Sequence, residues 1–469
     1  MRPLMVLGCT SGAGKSWLVT ALCRWFARQG VDVVPFKAQN MSNNARVVDG
    51  GEIGVAQWLQ ALAAGVEPDV RMNPVLLKPE ADTRSQVVID GRVAPAVTDM
   101  PWRERGPVLW PAMTAAFDSL AAEHDLVVLE GAGSPAEINL PDLVNNRMLA
   151  HADAAALLVS DIDRGGAFAH VYGTWALVPP ATRERLAGYV LNRFRGDATL
   201  LAPGPEQLTE RTGMACAGVV PMLHHELPDE EGATVRADPG PGALDVAVVR
   251  FPFGANLDEL HVLARAASVR FVDHPAELAG ADLVVLPGSK HVTADLAWLR
   301  DRGLATAIER LAAGGVRVLG ICGGCQVLGR VIDDPDGVEG GRPGVVAGLA
   351  LLPFTTVFGG EKVTTRRQVT MPADLPAPWA ALRGVTATGY EIRMGRTAGG
   401  PVWADGNVLA TTVHGLLEDP DVVERLVGRR PTLVLEDTFD RLADAVDEHL
   451  DTDLLRRLTT GRAGSRIRD

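Results

Sequence analysis

Two short runs hold the residue types that do chemistry. The first, Gly8-Cys9-Thr10-Ser11-Gly12-Ala13-Gly14-Lys15-Ser16, combines glycines with a lysine and a hydroxyl. Gly12 and Gly14 allow close backbone approach to an anion, Lys15 neutralises β- and γ-phosphate charge, and Ser16 offers its hydroxyl to Mg2+. The second, Gly320-Ile321-Cys322-Gly323-Gly324-Cys325-Gln326, sets a thiol among glycines. That composition suits a sharp strand-to-helix elbow presenting a nucleophile at a helix N-terminus. One run predicts ATP binding and the other covalent attack. An inert buried cysteine is the plain alternative for Cys322, and the Cys322–Cys325 spacing lacks the second pair or histidine set of a zinc site.

The surrounding pattern predicts how these runs are held. Apolar runs at Leu4–Leu7, Val31–Phe36, Leu126–Leu129, Ala155–Val159 and Tyr189–Leu191 read as strands. Trp17–Arg28, Gln57–Ala64 and Trp110–Ala122 read as helices between them. A second series follows, with strands at Asp245–Arg250, Leu283–Leu286, Arg317–Gly320 and Val408–Val413, one long helix over Ala294–Ala313, and a short helix over Gln326–Val331. Such alternation predicts two parallel α/β sheets. The acidic, then Gly/Pro-rich stretch from Leu227 to Ala243 reads as a linker. We therefore divide the chain into 1–230, a linker at 231–243, 244–436, and a C-terminal helix and tail at 437–469. Phe439, Leu442, Val446, Leu450, Leu454 and Leu458 give that last helix a packing face.

Ligands of open α/β sheets bind at the carboxyl ends of the strands, where several polar groups fall. Glu130 ends one strand and could complete a Mg2+ shell with Ser16, or equally serve as a helix cap or a solvated loop acid. Lys37, Gln39, Asn40 and Asn43 follow another strand, and an amide-rich run suits a highly polar ligand. Ser134 and Asn139 follow Glu130. Arg164 and Arg195 follow later strands, where they bind carboxylates or make surface salt bridges. Only five of the 45 basic residues are lysines, at 15, 37, 78, 290 and 362, so a chain that otherwise uses arginine keeps lysine at a few strand ends. His414 ends a strand and could act as base to Cys322, with the Gly288 backbone as part of an oxyanion hole.

Bulk properties exclude several classes. A net charge of −13 is unlike a nucleic-acid binder. No stretch is long and apolar enough to span a membrane, and the early glycine loop leaves no room for a signal peptide. The odd, scattered cysteines, Cys9, Cys23, Cys216, Cys322 and Cys325, predict reduced thiols and a cytoplasmic protein.

Resemblances sharpen this reading. The phosphate loop is one residue longer than the common form, because Gly8 stands one position early, and so resembles that of dethiobiotin synthetase-like ligases. The second half resembles class I glutamine amidotransferase domains, with Cys322 as nucleophile and His414 as partner. The usual third acid of that pattern would fall at 416, which is Leu416, and Glu418 is out of register, so a Cys–His pair is expected. PFKAQNMSNN at 35–44, GGEIGVAQ at 50–57, EGAGSPAEINL at 130–140, DIDRGG at 161–166, NRFRGD at 192–197, LPGSK at 286–290, GICGG at 320–324 and GYEIRMG at 389–395 are similar to the cobyric acid synthase family over nearly the whole chain. That resemblance implies ATP- and glutamine-dependent amidation of corrinoid carboxylates, with Mg2+ at the nucleotide and ammonia passed between sites. Cys325 replaces an expected aromatic, and Arg393 stands where the family often has histidine. The alternatives are the sibling that makes cobyrinic acid a,c-diamide, and a non-catalytic ATP-binding module with an inactive amidotransferase-like half.

Overall fold

A parallel strand buries both faces only when helices cover both, and apolar runs separated by amphipathic segments supply that cover. The computed structural model describes residues 1–81, 84–140, 142–223, 225–228, 240–339, 342–432 and 435–460, and it contains two such layered sheets. The first has six parallel strands in the order Ala215–Pro221, Leu186–Phe194, Ala155–Asp161, Leu4–Gly8, Leu126–Glu130, Val33–Phe36. Along Leu4–Gly8, Met5 and Leu7 enter one core with Phe36 and Phe117, while Leu4 and Val6 enter another with Leu18 and Phe26. This is the two-residue alternation of a strand expressed as two cores.

Helix α1 (Lys15–Arg28) leaves the phosphate loop at Gly14, whose φ of 103° favours glycine. A Cβ there would also lie 2.1 Å from Asn192 Nδ2. Beyond Val33–Phe36 a smaller sheet is built from Gln39–Met41, Val75–Ala81, Arg84–Ile89 and Arg92–Val93. A hairpin of Ala45–Val48 and Gly51–Gly54 then leads into helix α2 (Val55–Ala64).

The second main sheet runs Ser268–Val272, Asp245–Val249, Leu283–Leu286, Arg317–Ile321, Val408–Thr411, Val402–Asp405, with only the last strand antiparallel. Beside it stands a four-stranded sheet built around the long pair Thr355–Thr370 and Thr386–Thr397. Among the described residues no helix is long and apolar enough to cross a membrane.

Three expectations are corrected. The single helix over Ala294–Ala313 is two, Val292–Asp301 and Leu304–Ala313, parted at a left-handed Gly303. The helix after Cys322 spans Gly323–Leu328 rather than Gln326–Val331, because its glycines let it press on the neighbouring strand, and Val331 already opens a new one. A Cβ on Gly324 would sit 2.0 Å from Leu286 O. The C-terminal helix is also two, Leu435–His449 and Thr452–Thr460, parted where Leu450 bridges to Gly218 and Asp451 N donates to Ala217 O at 2.8 Å.

Those last helices return to the first sheet. Phe439, Leu442 and Val446 join the core beneath α1, and Arg24 and Trp25 bond Asp440 and Asp447 at 2.8 and 2.6 Å. Most of the expected linker, residues 231–239, and the tail at 461–469 lie outside the described residues.

Candidate active site

The strands ending at Gly8, Phe36 and Glu130 are neighbours, so their carboxyl ends deliver the phosphate loop, Lys37 and Glu130 to one place. Glu130 is 1% exposed. Ser16 Oγ donates to its Oε1 at 2.9 Å, Lys37 Nζ pairs with Oε1 at 2.7 Å, and Gln60 Nε2 donates to Oε2 at 2.6 Å. Glu130 is therefore neither a helix cap nor a solvated acid. Lys15 Nζ reaches the carbonyls of Thr10 and Gly133 at 3.4 and 3.2 Å, curling the loop around its own lysine. The Ser16 hydroxyl and Glu130 carboxylate are hard oxygen donors of the kind Mg2+ prefers. Cys9 points into the core, and burial pushes its thiol up to about 11, against smaller pulls from Thr174, Ser160 and Lys15.

At the second site Cys322 adopts φ 49° and ψ −102°, a strained conformation for a non-glycine residue. Its N–H donates to Thr411 O at 2.7 Å, which pins the elbow to the next strand. His414 lies just past that strand, is buried, and lines the same pocket as Cys322, whose Sγ stands 3.7 Å from Ile392 O. Its Nδ1 is 2.8 Å from Glu259 Oε1, while Gly415 N donates to Glu259 Oε2 at 3.0 Å. Burial pulls the His414 imidazole down, but Cys322 and Glu259 outweigh it and raise the group to about 10. Tyr390 stacks on the ring at 5.5 Å.

The expected Cys–His pair without a third acid is thus corrected. The acid is Glu259, delivered by a short helical turn at Leu257–Glu259, 155 residues before His414. Leu416 packs in the core. No local spacing signals this partner, because it arrives from a different strand-end loop. Gly288 lies against the imidazole, where a Cβ would fall 2.7 Å from Cε1. Cys325 is wholly buried in the core, and burial raises its thiol well above the ordinary value.

Both halves wall the pocket around Cys322. Asn43, Lys78 and Glu80 come from the first half, and Lys290, Lys362 and Arg393 from the second. Fully buried Glu52 pairs with Lys78 at 2.5 Å and with Lys362, and Lys290 pairs with Glu80 at 2.9 Å. All five lysines thus make interior polar contacts, although Lys78 lies within the strand Val75–Ala81 rather than at a strand end or loop, and Lys362 lies within Thr355–Thr370.

A second seam lies beneath the triad. Buried Arg46 pairs with Asp258 and Glu418, and donates to Tyr390 Oη at 2.6 Å. Ala45 N donates to Asn256 Oδ1 at 2.9 Å, and Leu257 N to Asn44 Oδ1 at 3.1 Å. Residues 44–46 therefore grip the turn that carries Glu259. Residues 37–46 span both sites, with Lys37 on Glu130, Asn43 on the Cys322 pocket and Arg46 on Asp258.

The remaining candidate residues are dispersed rather than gathered at one point. Arg164 lies beside the loop and pairs with Asp161 at 3.3 Å, while Arg195 pairs with Asp163 at 3.0 Å. Both are largely exposed, so the salt-bridge alternative is realised without hiding either guanidinium. Ser134 is buried and accepts from Ala136 N at 3.3 Å, whereas Asn139 is exposed on the following turn. Gln39 is half-buried. Asn40 turns inward to Gln57 Oε1 at 3.1 Å, and Asn43 faces the Cys322 pocket rather than the phosphate loop. Gln60, Glu52, Arg46 and Glu259 escaped the sequence reading.

Comparison with known proteins places both halves. Residues 4–232 match the model of the CobQ/CobB/MinD/ParA nucleotide binding domain, and residues 245–422 that of the CobB/CobQ-like glutamine amidotransferase domain. The chain is 54% identical to the cobyric acid synthase of Variovorax paradoxus (strain S110), over 97% of this chain and 99% of that one. It is 55% identical to the cobyric acid synthase of Paracidovorax citrulli (strain AAC00-1), over 96% and 97%. The corresponding protein of Albidiferax ferrireducens (strain ATCC BAA-621 / DSM 15236 / T118) is 52% identical, over 97% and 99%.

Proposed function

The chain belongs to the cobyric acid synthase family, and we propose that it uses ATP and glutamine to convert peripheral carboxylates of adenosylcobyrinic acid a,c-diamide into carboxamides, giving adenosylcobyric acid in cobalamin biosynthesis. One observation carries this reading. A Cys322–His414–Glu259 constellation and a phosphate loop occupy one chain, and residues 37–46 reach both.

Cys322 Sγ attacks the carboxamide carbon of glutamine. His414, oriented by Glu259, holds the thiol proton and passes it to the departing nitrogen. The C–S bond forms as the carbonyl π pair moves onto oxygen, with the Gly288 backbone at the oxyanion, and that pair re-forms the C=O bond as the C–N bond breaks. Ammonia leaves, and water hydrolyses the glutamyl thioester to glutamate.

At the other site Lys15 and the loop amides, with Gly12 and Gly14 giving close approach, hold the ATP phosphates. Ser16 and Glu130 would hold Mg2+, which offsets phosphate charge when bound. A corrinoid carboxylate oxygen takes the γ-phosphoryl group and ADP departs. The ammonia lone pair attacks the resulting acyl phosphate, and phosphate leaves with the C–O electron pair. A free carboxylate has no such leaving group, which is why ATP is consumed. Gln39, Ser134, Asn139, Arg164 and Arg195 at the rim contact the corrinoid. The free thiols of all five cysteines suit the reducing cytoplasm.

The test is incubation with ATP, Mg2+, glutamine and adenosylcobyrinic acid a,c-diamide, followed by mass spectrometry. The account expects the stepwise mass loss of replacing hydroxyl by amino groups. Acceptance of cobyrinic acid instead would assign the chain to the sibling reaction.

A further inference from the structure

Helix α2 packs against α1 within the first half, yet two of its wholly buried residues are glutamines. Gln57 and Gln60 lie three residues apart, so they share a helix face. Among the described residues, Gln57 Nε2 and Gln60 Oε1 have no hydrogen-bond partner. Buried amides left part-satisfied oppose folding, so packing alone gives no reason for two in succession.

Their neighbours give direction to the pair. Gln60 touches Glu130 beside the phosphate loop at 2.6 Å. Gln57 accepts from Asn40 at 3.1 Å. Gly54 closes the gap beyond, since a Cβ there would lie 2.6 Å from Asn40 Nδ2 and 3.0 Å from Gln57 Oε1. Two residues earlier on the same strand face stands Glu52, bonded to Lys78, which lines the Cys322 pocket. Buried polar pairs therefore lie in series on this part of the first half: Lys78 with Glu52 at the thiol pocket, Asn40 with Gln57 beside Gly54, and Gln60 with Glu130 at the phosphate site.

We infer that Gln57 and Gln60 carry ammonia from the Cys322 pocket to the phosphate site, entering by Glu52 and Asn40 and leaving at Glu130. The inference rests on the function proposed above. Neutral ammonia has one lone pair and three N–H bonds. Gln57 Nε2 offers a donor to that lone pair, and Gln60 Oε1 accepts one of those hydrogens. Ammonium has no lone pair and gains nothing from the free Gln57 donor, so the pair selects the nucleophilic form.

Two variants test the route. Gln57→Leu removes the donor at similar volume. Gly54→Ala keeps a backbone that alanine adopts freely, at φ −61° and ψ 143°, and wedges a methyl between Asn40 and Gln57. Both should release glutamate at the wild-type rate and use added ammonium chloride as well as wild type does. Glutamate released per amide formed should rise about tenfold, the rate equivalent of one lost hydrogen bond. An unchanged ratio in both variants would overturn the route, as would a parallel loss of glutamine- and ammonia-driven amidation.

Wild-type enzyme supplies a second arm that no folding defect can obscure. Given 15N-amide glutamine and excess unlabelled ammonium, its product should keep the label, and dilution of the label to the solution ratio would overturn the route. Failure of the wild type to amidate with either nitrogen source would instead refute the proposed function.

Discussion

Replacing Glu259 by Gln preserves the shape of the side chain and removes the charge facing His414. The Glu259–His414 contact is 2.8 Å long and buried on both sides. A charge-assisted bond of this kind contributes about 1.5–3 kcal/mol. At about 1.4 kcal/mol per decade, losing it when the imidazolium forms slows glutamine hydrolysis roughly 10–100-fold. The replacement amide also donates to Nδ1, which turns the ring into the tautomer whose Nε2 carries a proton and cannot accept one from Cys322. That effect carries the loss toward the roughly 10⁴-fold cost known for an Asp-to-Asn change in a serine protease triad. The assay is glutamate release at saturating glutamine, with ammonium-driven amidation as the internal control. Ammonium-driven turnover should be unchanged, since the phosphate site is untouched. Glutamate release at the wild-type rate would refute Glu259 as the third member.

Other perturbations separate the two halves. Arg46→Met strands Asp258 and Glu418 beneath the triad, and breaking a buried pair costs about 3–5 kcal/mol. The melting temperature should fall sharply, and glutamine-driven amidation should decline more than ammonium-driven amidation at temperatures where the variant is folded. Lys37→Met leaves Glu130 without its cation at comparable cost, so amidation from either nitrogen source should be lost while glutamate release persists. The His414 group stands at about 10 when folded against an ordinary 6.5, so its stabilising contribution is complete below about pH 6.5 and drains away as pH rises through 10. Thermal denaturation across that window should show a decline that is shallower in Glu259→Gln.

Much of this was legible because buried parallel strands must read as apolar runs. The strands at Leu4, Leu126 and Leu283 carry that signal directly, and Lys15 and Cys322 sit in glycine patterns with few other uses. Glu259 was not legible, since its relation to His414 is set by the packing of two loops and by no interval along the chain. The Gln57 and Gln60 side chains look like the wet face of an amphipathic helix until the fold buries that face. Helix breaks at Gly303 and Leu450 were hidden because the apolar period continues across them while the backbone turns. Arg46 resembles any strand arginine until Asp258 and Glu418 arrive from over 200 residues away.

Coupling of a thiol site to a phosphate site within one chain is the central claim, and Cys322→Ser addresses it directly. Corrinoid mass should be followed with ATP and Mg2+, first with glutamine and then with ammonium chloride as sole nitrogen source. The account predicts no amidation from glutamine and wild-type amidation from ammonium. Glutamine-driven amidation that survives the substitution would contradict it, as would loss of the ammonium-driven reaction.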